Sequence, residues 1–90
     1  MDTTYELHGT SFVWDHDKAR SNLAKHGVSF KAAATAFFDP FLRLEDARRN
    51  EEARDAAIGF DENERLLYVV HIGVEDEYLR IISARRATSE

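Results

Sequence analysis

The longest apolar runs in the chain have the character of strands. Leu66-Leu67-Tyr68-Val69-Val70-His71-Ile72 is rich in β-branched and aromatic residues. After a turn at Gly73 to Asp76 comes Tyr78-Leu79-Arg80-Ile81-Ile82-Ser83-Ala84-Arg85-Arg86-Ala87. Its centre is apolar on both sides, which predicts a strand inside a sheet with both faces covered. Simple alternation sends Leu79, Ile81 and Ser83 one way and Arg80, Ile82 and Ala84 the other. Shorter strand signals lie at Ser11 to Trp14, at Phe41 to Leu44, and at Ala53 to Phe60. In the last of these Arg54, Ala56 and Ile58 share a side. Asp61 to Glu64 reads as a turn.

Two helices are predicted between the first and second strands. Asp15 stands at an N-cap, Asp17 lies in the first turn, and Gly27 supplies a stop, giving a helix from His16 to His26. Ala19, Leu23 and His26 fall on one face, flanked by Lys18, Asn22 and Lys25. Ser29 caps a second, alanine-rich helix over Phe30 to Phe38, ended by Asp39-Pro40. Its buried face is expected to be Phe30, Ala33, Ala34 and Phe37. Glu45 to Glu52 is a charged connector. Residues 1–9 lack periodicity and read as a loose lead-in, and 88–90 as a tail. The whole, 1–90, reads as one domain of β-α-α-β-β-β-β order. That is an α+β fold with two N-terminal helices packed on a mainly antiparallel sheet.

Ninety residues suffice for one modest core. Without cysteine, disulfides and thiolate metal sites are excluded, and four scattered histidines form no zinc signature. No metal and no cofactor is expected. No apolar run is long enough to span a membrane, and the polar N-terminus does not read as a signal peptide, so a cytoplasmic location is expected. The net charge of −5 argues against a simple nucleic-acid-binding module. It still permits an enzyme that acts on RNA through a few concentrated cations. Arg80, Arg85 and Arg86 are such a concentration, while acids gather at Glu45 to Glu64 and Glu75 to Glu77.

Two stretches carry a family resemblance. Phe12-Val13-Trp14-Asp15, Lys18, Asn22 and Lys25-His26-Gly27-Val28-Ser29-Phe30 with Ala33 resemble the opening of the BrnT family of toxins. Leu66 to His71, followed by Arg80-Ile81-Ile82-Ser83-Ala84-Arg85-Arg86-Ala87, is similar to that family's closing hairpin. Residues Arg43 to Glu51 carry no string that aligns. The resemblance implies a RelE-like fold. It also implies a metal-independent ribonuclease toxin of a type II toxin–antitoxin pair, inhibiting translation. The implied partner is a BrnA-like ribbon-helix-helix antitoxin, through which alone operator DNA would be bound.

RNA is cut without metal when the ribose 2′-OH attacks the adjacent phosphorus, leaving a 2′,3′-cyclic phosphate and a 5′-OH. Histidine suits the proton transfers, and arginine suits the phosphorane charge. The catalytic candidates are Lys25, His26, Arg54, Arg80 and Arg85. RNA-binding candidates are Lys18, Trp14 and Arg86. Each has a plainer reading. His26 can pack as a helix-terminal ring beside Leu23, Lys25 can be a solvated helix end, and Trp14 can be core beside Phe12. Arg85 and Arg86 point to opposite faces, so one can meet substrate while the other pairs with Glu52 or Asp55. Arg80 and Arg54 can pair internally. A second functional class remains open, in which the same arginines grip an antitoxin in a non-catalytic co-repressor.

Overall fold

The computed structural model describes residues 1–87; the expected tail at 88–90 lies outside the described residues. A six-stranded mixed sheet and two helices are built in the order β1 (Asp2–Leu7), β2 (Thr10–Asp15), α1 (His16–His26), α2 (Phe30–Ala36), β3 (Arg43–Asp46), β4 (Asp55–Phe60), β5 (Leu66–Val74) and β6 (Tyr78–Arg86). The strands lie side by side as β1-β2-β6-β5-β4-β3. The fold class is α+β as expected, with two corrections. The helices follow a β-hairpin instead of a single strand, because the expected lead-in is the edge strand β1, paired with β2 from Asp2↔Asp15 to Leu7↔Thr10. And β2 joins β6 in parallel, at Phe12↔Leu79 and Val13↔Arg80, while every other pairing is antiparallel.

Local chemistry explains the helix boundaries. The Asp15 carboxylate accepts the Asp17 N–H at 3.1 Å, and the Gly27 N–H closes on the Leu23 carbonyl with Gly27 at φ 70°. The Ser29 hydroxyl accepts the Ala32 N–H at 3.0 Å. α2 ends at Ala36, with Phe37 as its cap, a little short of the predicted Phe38. Asp39 takes the chain onward: its carboxylate accepts the N–H groups of Phe60 (2.8 Å) and Phe41 (2.9 Å), and these bonds hold its pKa below the usual carboxylate value. Gly59 is required beneath this corner, since a Cβ there would lie 2.6 Å from the Ala36 carbonyl oxygen.

One sheet face carries the core. Phe12, Trp14, Ala57, Leu67, Val69, Ile81 and Ala84 are buried there against Phe30, Ala33, Ala34 and Ala36. Aromatic rings interlock across the layer, Trp14 edge-on to Phe30 at 5.8 Å and Phe37 edge-on to His71 at 4.8 Å. His71 is buried, with Nδ1 3.2 Å from the Val69 carbonyl, as a structural residue should be.

The alternation expected in the last strand is broken. Val70 pairs with Ser83 and His71 with Ile81, so Ile82 is an extra residue, a β-bulge. Leu79, Ile81, Ala84 and Arg86 therefore share the core side. Arg80, Ser83 and Arg85 share the opposite side.

The expected face of the first helix is also corrected. Ala19 only borders the core, Leu23 is 51% exposed and His26 is exposed. The buried residue is Asn22, at 7% exposure. Its side-chain amide donates to the carbonyls of Ala84 (2.8 Å) and Val28 (3.0 Å), and its oxygen accepts the Ala84 N–H (3.1 Å). Where β2 has turned away into α1, this side chain completes the backbone of β6. Replacing Asn22 by Ala is expected to leave these buried groups unpaired and cost about 3 kcal/mol. The loss should appear as a lower urea midpoint at unchanged slope; a change under about 1 kcal/mol would contradict this role.

Candidate functional site

The uncovered sheet face can be read strand by strand from the register. One row runs Arg85–Tyr68–Ile58–Arg43, the next Ser83–Val70–Ala56–Glu45, and a third joins Arg80 to Ile72 and Val13. Ile58, Tyr68, Val70, Ile72, Arg80 and Ser83 are half-buried, consistent with a face that no helix packs upon. Arg54 continues the side of β4 that carries Ala56 and Ile58, its carbonyl accepting the Ala47 N–H at 2.9 Å. The candidates Arg54, Arg80 and Arg85 therefore lie on one surface, over an apolar floor.

A groove of about 320 Å³ runs along the seam between α1 and β6, lined by Asp17, Lys18, Ser21, Asn22, Lys25, His26, Ile82 and Ser83. Lys18, Asn22 and Lys25 fall on one helical flank by their spacing. Asn22 pins that flank against β6. The groove meets the open face at Ser83. Between residues 16 and 31, four basic residues (Lys18, Arg20, Lys25 and Lys31) face one acid, Asp17, in a chain whose net charge is −5. Lys25 and His26 also end α1, where cations complement the helix dipole.

The cations differ in how they are held. Arg80 donates to both Asp2 oxygens, at 2.7 and 3.3 Å, so its fork is engaged by the N-terminal strand. The hydrogen bond from Arg80 holds the Asp2 carboxyl below its usual value, and Asp2 in turn raises the arginine. Arg54 pairs with Glu52 at 2.8 Å, and its Nε–H is buried with no partner among the described residues. Arg43 pairs with Glu45 at 2.7 Å. Arg85 instead lies over the Tyr68 ring at 4.3 Å, with Nη1 donating to the Arg86 carbonyl at 3.2 Å. Neither Arg85 nor Arg86 pairs with Glu52 or Asp55, the acids expected for one of them.

Two RNA-binding candidates stand apart. Trp14 is 4% exposed, packed between Tyr5 (5.8 Å) and Phe30, so its ring is a core element with no face for a base. Arg86 is exposed on the helix side of the bulge, away from Arg85. Sequence reasoning missed Tyr68 and Ser83 on the open face. It also missed Arg65, which pairs with buried Asp61 at 2.8 Å and donates to the Gly27 carbonyl at 3.1 Å, tying the end of α1 to β5. Among the described residues no group of three or more His, Asp or Glu side chains is placed to hold a metal ion. No helix among them is long and apolar enough to cross a membrane.

A protein-family model described as "Ribonuclease toxin, BrnT, of type II toxin-antitoxin system" matches residues 14–90. The chain belongs to the BrnT family. It is thereby a ribonuclease toxin of a type II toxin–antitoxin system, with a protein antitoxin as partner. The match begins near the end of β2, so β1 and the Asp2 clamp on Arg80 lie outside the matched stretch of this BrnT-family chain. No curated protein matches the sequence.

The Arg80–Asp2 pair has a pH signature. A carboxyl whose pKa is lowered by folding adds stability above its unfolded value, near 3.8, and loses it as pH falls through the folded value. By NMR titration Asp2 is expected to turn over below 3.8. In Arg80→Gln its midpoint should move back up. A midpoint that does not respond to Arg80→Gln would mean the clamp is absent in solution.

Proposed function

We propose that the chain is a metal-independent endoribonuclease of RelE-like fold that cuts RNA along the α1–β6 seam and so inhibits translation in the cytoplasm. The observation that carries this reading is the groove where Lys18, Lys25 and His26 adjoin the Arg85-bearing face. In this reading the ribose 2′-OH attacks phosphorus and loses its proton to a base, and the 5′ oxygen leaves with a proton. His26, exposed at the mouth of the groove, is a suitable proton carrier. Arg85 offers a planar fork to the phosphorane oxygens, and Lys25 and Lys18 hold the flanking phosphates. Arg54 and Arg80, each neutralised by a carboxylate, border the face as paired side chains and not as free donors. His26 for proton transfer and Arg85 for the phosphorane charge are side chains of this chain, so the reading calls on no metal.

The antitoxin in this reading is a BrnA-like ribbon-helix-helix protein that covers the cationic seam and itself contacts operator DNA. The open face suits such a cover, because its floor is apolar and its rim basic.

Purified protein incubated with RNA in excess EDTA is expected to yield fragments with 5′-OH ends. Arg85→Ala and His26→Ala, each shown to be folded, should lower the rate about 100-fold. Absence of cleavage on free RNA and on translating ribosomes would replace this reading with the non-catalytic co-repressor.

A further inference from the structure

We infer that Tyr68 is a positioning residue for Arg85, a role that rests on the ribonuclease reading above. Tyr68 and Arg85 are direct cross-strand partners on β5 and β6. The guanidinium carbon lies 4.3 Å from the centre of the Tyr68 ring, the geometry of a cation held on an aromatic face. A second tether holds one end of the fork, since Nη1 donates to the Arg86 carbonyl at 3.2 Å. The ring carries the guanidinium and the carbonyl ties one of its nitrogens. What stays available is the edge bearing Nε–H and one Nη2–H, the pair of parallel donors that matches two phosphate oxygens.

The other arginines of this face show what the ring replaces. Arg43, Arg54 and Arg80 are each fixed by a carboxylate 2.7 to 2.8 Å away, which neutralises the charge and occupies the donors. An aromatic face fixes a guanidinium without taking up its N–H groups, because the contact is made through the π-surface. Arg85 is thus held while keeping a free edge. The bulge at Ile82 is part of the same device. Were Ile82 taken up in regular alternation instead of bulged, Arg85 would fall on the core side of β6 with Ile81, and Tyr68 would have no cation above it.

The ring is what matters in this arrangement, and the hydroxyl is not. Tyr68→Phe keeps the face and should retain activity within about twofold, whereas Tyr68→Leu keeps a half-buried apolar side chain but loses the face. It is expected to lower kcat about tenfold with KM little changed. Tyr68→Leu in an Arg85→Ala background should add almost nothing, because the group being positioned is gone. A structural loss would persist in that background. Independently of turnover, the Arg85 side-chain protons of the wild type should carry an aromatic ring-current shift in NMR spectra. That shift should survive in Tyr68→Phe and vanish in Tyr68→Leu.

The outcomes separate cleanly. If the wild type cleaves RNA through Arg85 but Tyr68→Leu is as fast, the positioning role is wrong and the ribonuclease reading stands. If the wild type never cleaves, the ribonuclease reading falls, and catalytic positioning by Tyr68 falls with it. A ring-current shift that persists in Tyr68→Leu overturns the contact itself.

Discussion

The side chain of Asn22 is the joint on which the arrangement of this protein depends. β2 runs beside β6 for only two register positions before the chain turns into α1 at Asp15. Beyond that point one edge of β6 has lost its neighbour. A backbone amide and carbonyl buried without partners would cost several kcal/mol, roughly 1–3 for each group. Asn22 meets both groups of Ala84 with one carboxamide, which matches the donor and acceptor of a neighbouring peptide unit. Its second amide hydrogen reaches the Val28 carbonyl and so fixes the turn between the helices. Pinning α1 this way also sets the functional geometry, because Lys18 and Lys25 flank Asn22 on the same helix.

A second constraint works from within β6. The bulge at Ile82 shifts the phase of the strand, so that Arg80 and Arg85 emerge on one face while Ile81 and Ala84 both remain in the core. An uninterrupted strand could not do both. The core side is closed by α2 and its aromatic contacts, and the opposite side is left as a half-buried apolar floor edged by arginines. Carboxylates hold three of these arginines, and Tyr68 holds the fourth.

The features legible in the sequence were the local ones. The Asp15 and Ser29 caps and the Gly27 stop act within a few residues, and they placed the helix starts as observed. The strong apolar runs became β5 and β6. The β1 strand escaped notice although Thr3, Tyr5 and Leu7 alternate with polar residues and His8-Gly9 makes a hairpin turn with positive φ at both positions. Its weak apolar side is typical of an edge strand. The β2–β6 pairing and the bulge arise from distant partners, which no local pattern encodes. Spacing on a helix did group Lys18, Asn22 and Lys25. It could not tell that the asparagine would be buried while Leu23 stayed outside, since that depends on which edge of the sheet lacks a strand. Alternation makes Arg85 and Arg86 diverge, but the bulge sets the side that each takes.

The most direct measurement is an amide chemical-shift map of the isotope-labelled protein with a short RNA whose 2′-OH groups are replaced by hydrogen, so that it binds without being cut. A single RNA surface along the α1–β6 seam predicts perturbations at Lys18, Lys25, His26, Ile82, Ser83 and Arg85, with little change in β1 or β3. Perturbations confined to β3 or β1, or none at RNA concentrations that saturate related contacts, would contradict a ribonuclease site at this seam.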